Sequence, residues 1–191
     1  INIQQLIYDE AQKFTLRSMP IFKDFHDALG NARCQSLLAQ IELAHCQLDN
    51  AMTLAEQAFE QYKKTDKFNA QVDLSIFIGT VQTYQNKFDM AQASLNQAEM
   101  LLDIHQSNAS RPELYNAMGL LYECRGDFAN ADRYYRMAQD TAQSMEYLEQ
   151  VYVARMNVIK VNMFFTPGRW YYDELLKIAN ESRTYGLKNA Q

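Results

Sequence analysis

The residues of this chain best suited to chemistry are three histidines, His26, His45 and His105, and three cysteines, Cys34, Cys46 and Cys124. An imidazole or thiolate acts as general base, nucleophile or metal ligand only where a second suitable group converges on it. No histidine here stands at helical i, i+3 or i+4 spacing from another ligand, as in a His-Glu-x-x-His pattern. His45 and Cys46 are neighbours, but adjacent helical residues point about 100° apart, so they do not chelate. The sequence also lacks a phosphate-cradling glycine loop and a nucleophile elbow. These features predict a protein that is not an enzyme and uses no cofactor and no metal. An odd number of cysteines inside apolar helical patterns predicts buried free thiols in a reducing, cytoplasmic setting.

The elements that would carry these residues are helical. Six glycines and three prolines among 191 residues are too few for the tight turns of a sheet. A content of 48% hydrophobic and 12% aromatic residues suits one domain with a sizeable core. The net charge of −5 comes with no interleaving of basic and aromatic residues, which argues against direct nucleic-acid binding. No apolar run reaches the roughly 18 residues that span a bilayer, and the start does not resemble a signal peptide, so no membrane partner is expected. Beginning at Ile1 without methionine, the chain reads as an excised piece of a longer protein. Met118, Met145 and Met156 lie in apolar helical patterns and are expected in the core.

A shift of 40 residues aligns the sequence with itself. Gly119 falls on Gly79 and Ala39; Phe128 on Phe88, Leu48 and Tyr8; Ala131 on Ala91, Ala51 and Ala11; Ala138 on Ala98 and Ala58. A glycine inside a helix costs about 1 kcal/mol relative to alanine, so its recurrence implies a recurring close approach of two helices. Each copy carries its small residue on a first helix, and its aromatic and two alanines on a second. That is a helix hairpin in tandem.

Gly119, Tyr122, Gly126, Phe128, Ala131, Tyr135 and Ala138 together resemble the tetratricopeptide repeat (TPR) family. The second copy keeps Gly79, Phe88, Ala91, Leu95 and Ala98, with Gln82 and Asn86 replacing an aromatic and a glycine. The first keeps Ala39, Leu48, Ala51 and Ala58. The period exceeds the family's usual 34 residues, and such elongated repeats are similar to those of bacterial regulators of the maltose-activator type. The resemblance implies an all-α, right-handed α-solenoid of tandem antiparallel helix hairpins. It divides the single array 1–191 into a partial repeat and joining segment (1–30), repeats at 31–70, 71–110 and 111–150, and a divergent last hairpin at 151–186.

Helix breaks are expected near Pro20, at 47–49, 65–71, 86–88, 106–111, 126–127, 144–147 and 165–168. Residues 1–18 align with a second helix whose first is missing, and 21–30 join it to the next hairpin. Asp127 reads as an N-cap, Ser110 with Glu113 as a capping box, Thr166 with Pro167 as cap and first turn, and Gly186 as a stop. The last helix carries Trp170, Tyr171, Leu175, Leu176 and Ile178, and its uncovered side suggests self-association through the ends.

By the resemblance, the first helices line a concave ligand surface. The binding candidates are Arg33, Gln40, Asp73, Phe77, Thr80, Tyr84, Asn116, Leu120, Glu123 and Lys160, with Ser36, Leu43, Ile76, Thr83, Glu113, Met156 and Met163 also facing inward. Tyr84, Asn116 and Glu123 are expected to act together. Ser36, Gln40, Phe77 and Glu113 occupy the positions with which chaperone-binding relatives grip a terminal carboxylate. Glu113 would repel one, which disfavours that mode. The resulting expectation is a protein- or peptide-binding module of a larger signalling or regulatory protein. The alternative is a small-effector sensor attached to a transcriptional regulator or signalling enzyme.

Overall fold

The computed structural model describes residues 3–165, 168 and 170–184, with the side chains of 3–6, 164, 165, 170, 182 and 184 left aside. The described residues form α1 (Ile3–Asp24), α2 (Ala28–Ala44), α3 (Leu48–Tyr62), α4 (Phe68–Tyr84), α5 (Phe88–Ile104), α6 (Arg111–Cys124), α7 (Phe128–Ser144), α8 (Leu148–Phe165) and α9 (Trp170–Thr184), with no strand among them. They gather into two compact units, Ile1–Leu101 and Leu102–Gln191.

The turns have a shorter rhythm than the repeat. Left-handed backbone recurs at His26, Cys46, Asn86, Gln106, Gly126 and Glu146, with φ from 50° to 80°. After each, the next amide donates to a carbonyl five residues back, as Asp127 does to Tyr122 at 2.9 Å and Asp27 to Phe22 at 2.8 Å. This closure satisfies the carbonyls that a helix end orphans. The chain thus reverses about every twenty residues with the same device, both within hairpins and between them, and uses glycine for it only once. The join after α3, residues 63–67, lacks this device among the described positive-φ residues. There the Gln71 amide donates to the Tyr62 and Thr65 carbonyls, each at 3.1 Å.

Packing follows the aligned columns. Ala51, Ala91 and Ala131, then Ala58, Ala98 and Ala138, are all fully buried. In the first unit Ala32 and Ala39 of α2 meet Ala55 and Ala58 of α3 and Leu74 and Ile78 of α4. In the second, Ala131 and Tyr135 of α7 pack with Val161 of α8, and Tyr171 and Ile178 of α9 pack on Tyr152 and Ile159. A Cβ placed on Gly119 would lie 2.5 Å from the Tyr135 ring, and one on Gly79 would lie 2.8 Å from Leu95. The glycines are there because bulky second-helix residues occupy the space.

Several sequence expectations are corrected. α1 runs through Pro20, so residues 21–24 are helix rather than joiner. Pro20 and Leu16, whose carbonyl loses its donor, are both exposed, so water can serve that carbonyl. α2 likewise starts at Ala28, with Asp27 as cap, accepting from the Gly30 N–H at 2.9 Å. Asp127 caps α7 as expected, accepting from the Asn130 N–H at 3.1 Å. Ser110 stands at the N-cap of α6 but makes no side-chain capping bond, and Glu113 instead accepts from Gln150 at 2.9 Å. Only Cys34 is buried. Cys46 sits at a left-handed turn and Cys124 at the last turn of α6, both exposed, and all three thiols are free. Burial raises the Cys34 thiol above its ordinary range; the Cys124 thiol, exposed overall, is raised by partial desolvation of its sulfur and by the neighbouring Glu123 carboxylate, against the Lys160 cation. Met118 is in the core, whereas Met156 is 37% exposed. Thr166, Pro167, Gly186 and the Trp170 side chain lie outside the described residues.

Candidate functional site

In the first unit, the N-terminal parts of α2 and α4 form a two-chambered groove. A cavity of about 660 Å³ is lined by Phe22 from α1, by Asp27, Leu29, Gly30 and Arg33, and by Tyr62 and residues 66–70. It adjoins one of about 210 Å³ lined by Arg33, Ser36, Leu37, Gln40, Tyr62, Ala70, Asp73, Leu74 and Phe77. Arg33, Tyr62 and Ala70 belong to both walls. The opening lies where α3 stops at 15 residues, against 17 for α5 and α7, and the 63–67 loop replaces the regular turn. Tyr62 and Phe77 rest against the core beneath, which fixes the apolar side of the wall. Desolvation raises the Tyr62 phenol above its ordinary pKa, partly opposed by the nearby Arg33 cation. The arrangement offers an apolar floor, one central guanidinium and several carboxylates. It can hold side chains and donate hydrogen bonds.

The second unit shows a different surface on its first helices. Gln150 donates to Glu113 at 2.9 Å, Asn157 to Asn116 at 3.3 Å, and Lys160 pairs with Glu123 at 2.9 Å. The Tyr135 hydroxyl reaches up from the core to donate to Glu123 at 2.7 Å. These rungs cross from α6 to α8. Glu113 Oε2 is buried and has no hydrogen-bond partner among the described residues. On the far side of α8, a cavity of about 660 Å³ is lined by Gln139, Gln143, Glu146, Leu148, Val151, Arg155 and Glu174. Its cation is engaged, since Arg155 holds Glu174 at 2.7 Å and Glu181 at 2.6 Å.

No family model and no curated protein matches the chain. Solved structures do. A putative kinesin light chain of P. anserina with nearly identical TPR-like repeats is similar at 14% identity and a TM-score of 0.63, covering 95% of this chain and 90% of that one. BtubC of P. vanneervenii is similar at 12% identity and a TM-score of 0.61, covering 96% and 86%. The fold is that of a TPR-like repeat protein.

Placed on this TPR-like frame, four of the sequence candidates, Arg33, Gln40, Asp73 and Phe77, line the smaller chamber together. Thr80 donates its hydroxyl to the Ile76 carbonyl at 2.9 Å, and Tyr84 is 48% exposed. Asn116, Glu123 and Lys160 belong to the second unit and are joined to neighbours in the rungs, while Leu120 is half-buried there. Ile76 and Thr83 do not face a ligand surface: both are buried, and the Thr83 hydroxyl donates to the Gly79 carbonyl at 2.8 Å. The residues missed were the second-helix and loop contributors Phe22, Tyr62, Lys67 and Phe68. No sequence signal marked them: Asp66 stands in the column of the regular turn and suits left-handed backbone at least as well as the His26 or Cys46 that adopt it.

Proposed function

We propose that the chain is a non-catalytic protein- or peptide-binding module of a larger signalling or regulatory protein, working in a reducing cytoplasm. Its ligand lies along the first helices of the 1–101 unit. The observation that carries this reading is the pair of adjoining chambers sharing Arg33 and Tyr62, deep enough for successive side chains of an extended or helical segment. A random peptide library selected on the protein should yield binders that alanine at Arg33 or Phe77 weakens by about 2 kcal/mol, the scale of a hot-spot loss. Selected peptides indifferent to both substitutions would place the working surface elsewhere, with Tyr84, Asn116 and Glu123 the next to test.

A second reading, a small-effector sensor like the maltose-activator type of regulator, draws on the size of the larger chamber. About 660 Å³ falls within the range of small-molecule sites. Saturable heat of binding from a metabolite library, lost on Phe68→Ala, would favour it over the peptide reading.

A further inference from the structure

The charged groups of the Arg33 groove are ordered along it. Arg33 and Tyr62 stand in the walls of both chambers. Asp27 and Asp66, with Lys67 beside them, belong to the larger chamber alone, and Asp73 to the smaller alone. A cation therefore sits at the partition, with carboxylates toward both ends. The donors at that partition are unfilled: neither the exposed Arg33 guanidinium nor the Tyr62 hydroxyl makes a hydrogen bond or ion pair with any described residue. Elsewhere the chain uses its guanidinium groups differently. Arg111 holds Asp103, Arg136 holds Asp132 at 2.8 Å, and Arg155 holds both Glu174 and Glu181. Polar groups on either side of the partition are also occupied, since Asp27 accepts from the Gly30 N–H at 2.9 Å and the Ser36 hydroxyl donates to the Ala32 carbonyl at 3.0 Å. Nor does the repeat require a cation at this position. The column of Arg33 continues as Asp73, Glu113 and Val153.

We propose that the groove selects a protein segment in which a single aspartate or glutamate lies between two apolar residues, the bulkier of them seated in the larger chamber. This rests on the peptide-binding reading of the same groove and adds the chemistry of its ligand. The central carboxylate accepts from Arg33 and from the Tyr62 hydroxyl, and such charge-assisted bonds are about twice as strong as neutral ones. The larger chamber, about 660 Å³ with Phe22, Leu29 and Phe68 in its walls, takes an aromatic or long aliphatic side chain. The smaller, about 210 Å³ beside Leu37, Leu74 and Phe77, takes a short one. An acidic residue outside the apolar pair would meet Asp27 and Asp66 at one end or Asp73 at the other. Like charges there reject a run of acids and confine the carboxylate to the centre.

The test selects a random peptide library in parallel on the whole chain and on its Arg33→Glu variant, which is checked for retained helicity. The unmodified chain should enrich one acidic residue between two apolar ones. Arg33→Glu should enrich lysine or arginine at that central position instead. For a synthetic peptide from the first pool, changing its acid to the matching amide should weaken binding about tenfold to the unmodified chain and about twofold or less to Arg33→Ala, the coupling that a direct contact gives. Peptides without a central acid that still lose affinity with Phe77→Ala overturn this proposal and leave the groove reading standing. So do acids enriched outside the apolar pair, or a central acid whose loss costs the same with and without Arg33. A selection yielding no peptide, or only peptides indifferent to both Arg33 and Phe77, overturns the groove reading and this proposal with it.

Discussion

The hairpins α4–α5 and α6–α7 use the same columns with different side chains. In the first, Gly79 admits Leu95, and Gln82 accepts from Ser94. In the second, Gly119 admits the larger Tyr135, and Tyr122 stacks on Tyr134. The α2–α3 hairpin supplies a third solution, with Ala39 beside Ala55 in its core. Bulk on the second helix is met by loss of bulk on the first, so the backbone approach is kept while the contents change. The α6–α7 hairpin goes further, because the Tyr135 hydroxyl emerges beside Glu123 and ties the core to the Lys160 ion pair. The repeat is thus a conserved geometry of volumes rather than of residue types within this chain.

The comparison breaks most readily at its tightest point. Gly119→Leu should cost about 3 kcal/mol, the upper end of overpacking, because the Tyr135 ring is 1% exposed and has nowhere to move. An unshifted thermal melt would refute the size-matching account. Alanine sharpens the contrast. Gly119→Ala should cost about 2 kcal/mol, and Gly79→Ala about 1 kcal/mol or less, since a leucine yields more readily than a ring and helix propensity returns about 1 kcal/mol in both. Chemical denaturation giving equal losses would show that the two glycines serve the same purpose irrespective of their partners. A Gly119→Ala, Tyr135→Leu double variant should recover much of the loss, a coupling measurable by a double-mutant cycle.

Removing only the hydroxyl, Tyr135→Phe, should cost about 1 kcal/mol for one lost hydrogen bond and leave the ring packing intact. Glu146→Gly should raise stability by about 0.5–1 kcal/mol, because the left-handed φ of 59° there strains any residue with a Cβ. The two hairpins should also differ in acid. Asp127 accepts from both the backbone and side-chain nitrogens of Asn130, which lowers its carboxyl below the ordinary value. The column-mate at the same turn is Lys87, which cannot accept a hydrogen bond. A carboxyl depressed on folding stabilises above its unfolded pKa, and that contribution is lost as pH falls through the folded value. Asp127→Ala should therefore lower the melting temperature at neutral pH, with the difference shrinking below the usual carboxylate range. A gap independent of pH would deny the cap its charge.

Helix content, hairpin pairing and the small-residue contacts were legible in the sequence because they are periodic. Each copy repeats the constraint, and a column read three times needs no other information. The Asp127 cap was legible for a related reason, since the carboxylate and the amide it serves are three residues apart. What tertiary structure alone decided is whatever depends on a residue's surroundings in another helix. Pro20 could remain within α1 because its side faces water. Ser110 makes no side-chain cap bond, and Glu113 is engaged by Gln150, far along the chain. Cys46 and Cys124 sit in apolar stretches yet fall at helix ends, where the turn lifts them out of the core. The Arg33 groove owes its depth to a short α3 and an irregular join, and Tyr62 and Phe22 reach it from helices that the repeat pattern assigns to other roles. Periodicity fixes which residues face a neighbour; only the folded chain determines which neighbour, and how much room it leaves.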